Sequence, residues 1–209
     1  MTRKDRYSHV LWIGGATDCG KTTVAAALAE RLGFQVYHYD HFDVGHHDIL
    51  AQTDEKIRES LASGIEERWV QQTPEKLVGR FLRAAKLRFP LVLNDFAELD
   101  SSKPVVAEGF GFLPKLIDPL ISANEQAIFL VPSEKFKRES FERRGKPSWK
   151  MKISDPERGW HNLFTRDMMI ADIYRKEVPN HGYQMIEVDS QSPAEMVDLL
   201  EKHFKKYLV

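Results

Sequence analysis

The segment Gly15-Ala16-Thr17-Asp18-Cys19-Gly20-Lys21-Thr22 constrains this chain more than any other, because it obeys the spacing Gly-x4-Gly-Lys-Thr and lies between an apolar run and a helical one. Upstream, Val10, Leu11, Trp12 and Ile13 predict a buried strand over His9 to Gly14. Downstream, Val24, Ala27, Leu28 and Leu32 fall on one face of a helix from about Lys21 to Leu32, and Gly33 ends it. Strand, glycine turn and helix in that order begin an α/β alternation. The loop also carries chemistry. Its glycines let successive backbone N–H groups turn inward around a phosphate, and the helix opening at Lys21 adds its positive dipole end. The Lys21 ammonium reaches phosphate oxygens, and the Thr22 hydroxyl suits Mg2+.

The alternation continues along the chain. Phe34 to Tyr39, Val105 to Ala107, Ala127 to Val131 and Met185 to Val188 are short apolar runs, as buried parallel strands are. Helix starts are legible at Thr73-Pro74, Asp155-Pro156 and Ser192-Pro193, each a capping residue before a proline suited to the first turn. Glu195 completes a capping box with Ser192, and a helix is expected over Thr73–Arg88. At roughly 150 residues per domain, 209 residues make one domain, and 42% hydrophobic residues suffice for a core. No repeat, low-complexity tract or linker divides residues 1–209.

With 30 Lys+Arg against 31 Asp+Glu, the net charge of −1 gives no whole-chain attraction to nucleic acid or an anionic membrane. No apolar run approaches the roughly 18 residues of a spanning helix. The single cysteine, Cys19, has no intramolecular disulfide partner, and the charged start lacks a secretory apolar core, so the expected location is the cytoplasm. Nothing in the pattern specifies an oligomeric state.

With the loop and its flanking elements, the chain resembles the small P-loop phosphotransferases of the nucleoside and nucleotide kinase-like group, which includes uridine, shikimate and chloramphenicol kinases. Tyr37-His38-Tyr39-Asp40-His41-Phe42 is similar to the Asp-x-Phe segment of uridine kinases, and Val105-Val106-Ala107-Glu108-Gly109 to their apolar-Glu-Gly segment. The resemblance implies a three-layer α/β/α domain with a five-stranded parallel sheet of order 2-3-1-4-5. It further implies Mg-ATP as donor, an acceptor-binding insertion over about 41–72, and an arginine-bearing lid over about 134–158.

On this reading Gly15, Ala16, Thr17, Asp18, Cys19, Gly20, Lys21, Thr22 and Thr23 bind the nucleotide, with Ala16, Thr17 and Thr23 contributing only as loop and helix-start residues. Asp18 is the awkward member: a carboxylate near a triphosphate is unfavourable unless it points away or binds metal, although aspartate tolerates left-handed backbone. Asp40, at a strand's carboxyl end, can orient or deprotonate an acceptor hydroxyl or cap the next loop, with Asp43 as a substitute base or Mg2+ partner. Glu108 is placed to hold Mg2+ through water, with Thr22 as the other metal candidate, or to contact substrate, or else is a solvated turn residue.

Residues 134–152 carry an excess of five positive charges. Within them Arg138, Arg143 and Arg144 are candidates to stabilise a transferring phosphoryl group, against the alternative of a solvated face. Trp149 among Lys146, Lys150 and Lys152 also suits stacking on nucleic acid, which leaves a kinase of nucleic-acid ends as an alternative. Lys76, Arg80 and Arg83 share a helix side that either holds an anionic acceptor or is solvated. His38, His41, His46 and His47 lack the spacing of a zinc site and read as loop polarity or substrate hydrogen bonding. Phe42, Trp69 and Tyr39 offer aromatic walls or ordinary core. The expected activity is transfer of the ATP γ-phosphoryl group to a hydroxyl of a nucleoside-like or other small metabolite. A rival reading is a nucleotide-driven switch, which needs no aromatic, acidic pocket beside the γ-phosphate.

Overall fold

A computed structural model describes residues 3–100, 102–145 and 152–208. The five apolar runs form strands β1 (Val10–Gly15), β2 (Gln35–His38), β3 (Val105–Glu108), β4 (Ala127–Pro132) and β5 (Gln184–Val188). All pair in parallel, in the order β2-β3-β1-β4-β5. This is the sheet order that the resemblance implied.

Alternate residues of each central strand serve opposite faces, as the pleat requires. Val10, Trp12, Val105, Ala107 and Phe129 join one core, while Leu11, Ile13, Val106, Ile128 and Leu130 join the other. Helices α2 (Lys21–Leu32) and α9 (Pro193–Phe204) cover the second face through Val24, Leu28, Val197 and Leu200. The first face is covered by α5 (Pro74–Ala97) and α8 (Pro156–Asn180) through Phe81, Phe89, Phe96, Ile170 and Tyr174. The short α1 (Arg3–Arg6) precedes β1, and α6 (Pro114–Ile117) follows β3.

Thr73, Asp155 and Ser192 each accept a backbone N–H three residues on, and the Ser192–Glu195 capping box is closed in both directions. The helix expected over Thr73–Arg88 runs on to Ala97, through Pro90. Burial of Phe89, Val92 and Phe96 on that extension outweighs the backbone hydrogen bond that proline removes.

Between β2 and α5 the chain forms α3 (Asp43–Ala51), α4 (Glu55–Ala62) and a turn at Glu67–Gln71. Asn162 of α8 holds that turn, donating to the carbonyls of Trp69 (2.9 Å) and Gln72 (3.1 Å). After β4, α7 (Glu134–Arg143) opens at the Ser133 cap and packs through Phe141 against Phe164 of α8. Lys146, Trp149 and Lys150 lie outside the described residues.

Candidate active site

The parallel sheet brings the carboxyl ends of β1, β2 and β3 to one edge, with Glu108 in register with Ile13 and His38. Where β1 leaves the sheet, Gly15 has φ of 120°, and a Cβ there would lie 1.9 Å from the Leu130 carbonyl oxygen. Only glycine lets the loop cross β4 so closely. Ala16 N–H donates to the same carbonyl at 3.0 Å. Asp18 and Gly20 are both left-handed (φ 59° and 78°), which turns the loop into the start of α2. The tolerance expected of aspartate is used here. Buried Lys21 donates from Nζ to Ala16 O at 2.5 Å, and the Cys19 thiol, pushed up in pKa by burial, donates to Ala16 O at 2.9 Å.

Two carboxylates face this loop. Buried Glu108 accepts from the Thr22 hydroxyl (3.1 Å), and its Oε1 also meets His38 Nδ1 (2.9 Å). Asp40 lies just beyond β2, in the single turn Tyr39–Phe42. Its residue surface is exposed, yet the carboxyl sits in a concave mouth. Burial there raises its pKa above the ordinary carboxylate value, with Glu108 adding to the rise and Lys21 opposing it. Asp43 is engaged elsewhere, by the buried guanidinium of Arg88 and by His47 (3.3 Å). Burial alone would raise its pKa, but the His47 hydrogen bond and the Arg88 charge hold it below the ordinary value.

Loop and carboxylates together line a cavity of about 480 Å3 that includes Lys21, Thr22, Asp40 and Glu108 and is walled by Trp69, Phe110 and Phe141. No protein-family model and no curated protein sequence matches the chain. Solved structures do match by shape. Shikimate kinase from Acinetobacter baumannii, in complex with shikimate, superposes with a TM-score of 0.53 at 18% identity over 97% of this chain and 94% of its own. A gluconokinase from Sinorhizobium meliloti gives 0.50 at 18% identity, over 96% and 93% of the two chains. Shikimate kinase from Bacteroides thetaiotaomicron gives 0.50 at 17%, over 94% and 98%. The chain has the P-loop kinase fold.

The P-loop is tied to the helices after β4 by a buried network absent from the sequence reading. Lys137 of α7 donates to Thr17 Oγ1 (2.6 Å), Asp18 Oδ2 (2.7 Å) and Asp167 Oδ2 (2.6 Å). Asp167 of α8 also accepts from Thr17 (2.8 Å) and from Arg166 (2.6 Å). Arg144 pairs with Asp18 at 3.0 Å, so the awkward carboxylate of the P-loop is neutralised from two sides. Asp167 was detectable in principle, as a carboxylate on the otherwise apolar stripe Phe164, Ile170, Ala171 and Tyr174. Lys137 was masked by the charge run around it.

The three candidate arginines have separate places. Arg144 lines the main cavity. Arg143 and Arg144 both line a further cavity of about 500 Å3 between the P-loop, α7 and residues 188–196. Arg138 pairs with Glu134 (2.9 Å) and lies over the rings of Trp160 and Phe164. Trp69 is a cavity wall, Tyr39 is core, and Phe42 stacks on Tyr37 at 5.0 Å between centroids. His46 meets Asp95, and among the described residues no group of three or more His, Cys, Asp or Glu side chains is arranged to hold a metal ion.

Proposed function

We propose that this chain is an ATP-dependent kinase of a small hydroxylated metabolite. The observation that carries the reading is the shared cavity: P-loop, Asp40, Glu108 and aromatic walls meet in one hollow, which a nucleotide switch does not need. The residues fit Mg-ATP. Positive-φ backbone at Gly15, Asp18 and Gly20 opens N–H groups toward a phosphate, Lys21 supplies a cation, and the Thr22 hydroxyl beside Glu108 matches the hydroxyl and carboxylate that hold Mg2+ in this type of site. Bound there, Mg-ATP supplies the phosphoryl group and the divalent charge.

The chain's own residues do the rest. Asp40, a stronger base for being raised in pKa by burial, accepts the proton of the acceptor hydroxyl as that oxygen bonds to phosphorus and the bond to the ADP oxygen breaks. Lys21 and Arg144 stabilise the charge on the transferring group. Trp69, Phe110 and Phe141 exclude water from it. ADP release measured with ATP, Mg2+ and panels of nucleosides, sugars and hydroxy acids tests the reading. Acceptor-dependent release lost in Lys21→Ala supports it, whereas release at the same rate without any acceptor favours the switch.

A further inference from the structure

A second cavity of about 220 Å3 adjoins the first and shares Trp69 and Phe110 with it. Four guanidinium groups line it: Arg68 from the Glu67–Gln71 turn, Arg80 and Arg88 from α5, and Arg166 from α8. One carboxylate, Asp43, stands against them in the lining, and it is taken by Arg88, which also donates to Tyr39 O and lies 3.8 Å over the Tyr39 ring. Arg166 spends its Nη1 on Asp167. Arg68 donates from Nη2 to the Ser60 carbonyl (3.0 Å). Arg80 has a buried Nη1 with no hydrogen-bond partner.

Such an arrangement opposes folding. A buried donor left unpaired costs free energy, more when charged, and three cations from three separate elements repel one another in a half-enclosed hollow. The crowding shows at Arg68, whose pKa is lowered by burial and then by the charges of Arg80 and Arg166. An oxyanion removes both costs, because planar guanidinium forks match carboxylate and phosphate oxygens. Resting on the kinase reading above, we infer that the acceptor is a small hydroxylated anion whose carboxylate or phosphate seats between Arg68, Arg80 and Arg166, with its hydroxyl in the adjoining cavity of Asp40. The hollow is below the roughly 300–1,000 Å3 of ordinary small-molecule pockets, a size for an oxyanion head rather than a nucleobase or a polynucleotide. A neutral acceptor leaves the buried Arg80 Nη1 unpaired and the clustered charges uncompensated, which makes the cluster a selectivity device.

The test separates this inference from the kinase reading. The Lys21→Ala protein, in which the P-loop is disabled, is titrated calorimetrically with inorganic phosphate and separately with glycolate, alone and with Arg80→Gln or Arg68→Gln added. One oxyanion site per chain is expected to persist in Lys21→Ala and to weaken at least about ten-fold in either arginine variant; the tighter probe assigns phosphate or carboxylate. Equal oxyanion affinity with and without both arginines, in variants whose circular dichroism is unchanged, overturns the inference. In wild-type protein, ADP release is compared for D-gluconate against D-sorbitol, for ribose 5-phosphate against ribose, and for deoxyadenosine and a 5′-hydroxyl oligonucleotide. Preference for an anionic member, with its KM raised at least ten-fold by Arg80→Gln, supports the inference. A neutral member or the oligonucleotide as the better acceptor overturns it. The kinase reading fails independently if wild-type protein does not bind a non-hydrolysable ATP analogue, whatever the oxyanion titrations show.

Discussion

At the scale of single residues, steric and electrostatic demands fall on different positions of the same loop. Gly15 answers a steric one: Gly15→Ala drives a Cβ into β4 backbone that has no room to move, and urea unfolding should show a loss of roughly 2–5 kcal/mol. Lys21 answers an electrostatic one. Lys21→Ala should leave the urea midpoint near wild type while lowering kcat by about 10²-fold or more. Asp40 is expected to act through its charge, so Asp40→Asn should lower kcat by roughly 10²–10⁴-fold with little change in nucleotide affinity. Because the folded pKa of Asp40 is raised, the native state holds its proton to higher pH than the unfolded chain does. Its charge therefore costs stability as pH rises from the ordinary carboxylate value through the raised one. Asp40→Asn should accordingly raise Tm slightly at neutral pH, and wild-type kcat should climb with pH across the same window. Asp43 works in the opposite sense: its pKa is lowered, so its contribution is present above the unfolded value and is lost as pH falls through the folded one.

At the scale of elements, the P-loop is braced by helices that come much later in the chain. Lys137, 1% exposed, bridges Asp18 of the loop and Asp167, 3% exposed, of α8. Removing Lys137 leaves Asp167 to Arg166 and Asp18 to Arg144, so Lys137→Met should cost roughly 1.5–3 kcal/mol by urea unfolding, the worth of lost charged hydrogen bonds. Adding Asp167→Leu to that variant should deepen the loss rather than repair it, because it also takes away the carboxylate to which Arg166 donates at 2.6 Å. A merely solvated α7 would show neither effect. The same loop carboxylate, Asp18, also pairs with Arg144, which lines the cavity.

At the scale of the whole molecule, the site exists because a parallel sheet delivers the ends of β1, β2 and β3 to one edge while Phe141 of α7 and Leu163 and Asp167 of α8 wall the cavity there. Ligand binding should therefore stabilise the fold as a unit. A non-hydrolysable ATP analogue with Mg2+ at 100 times its Kd should add about 2.7 kcal/mol, read as a rise in Tm that Lys21→Ala removes. No helix among the described residues is long and apolar enough to cross a membrane.

The local order of the chain determined a good deal by itself. The P-loop, the strand-to-helix turn around it, the capped starts at Thr73, Asp155 and Ser192, and the alternation that yields a parallel sheet all depend on neighbours within a few residues, where spacing and backbone preference act directly. Asp40 and Glu108 were legible for the same reason, as acids at the ends of apolar runs. Tertiary structure alone decided which charges meet. Lys137 finds Thr17 and Asp18 across about 120 residues, Arg88 pairs with Asp43, and Arg68, Arg80 and Arg166 converge from a turn and two helices. Pairing across such separations follows from helix packing and burial, and burial is what turns an ordinary charged side chain in a solvated run into a buried partner.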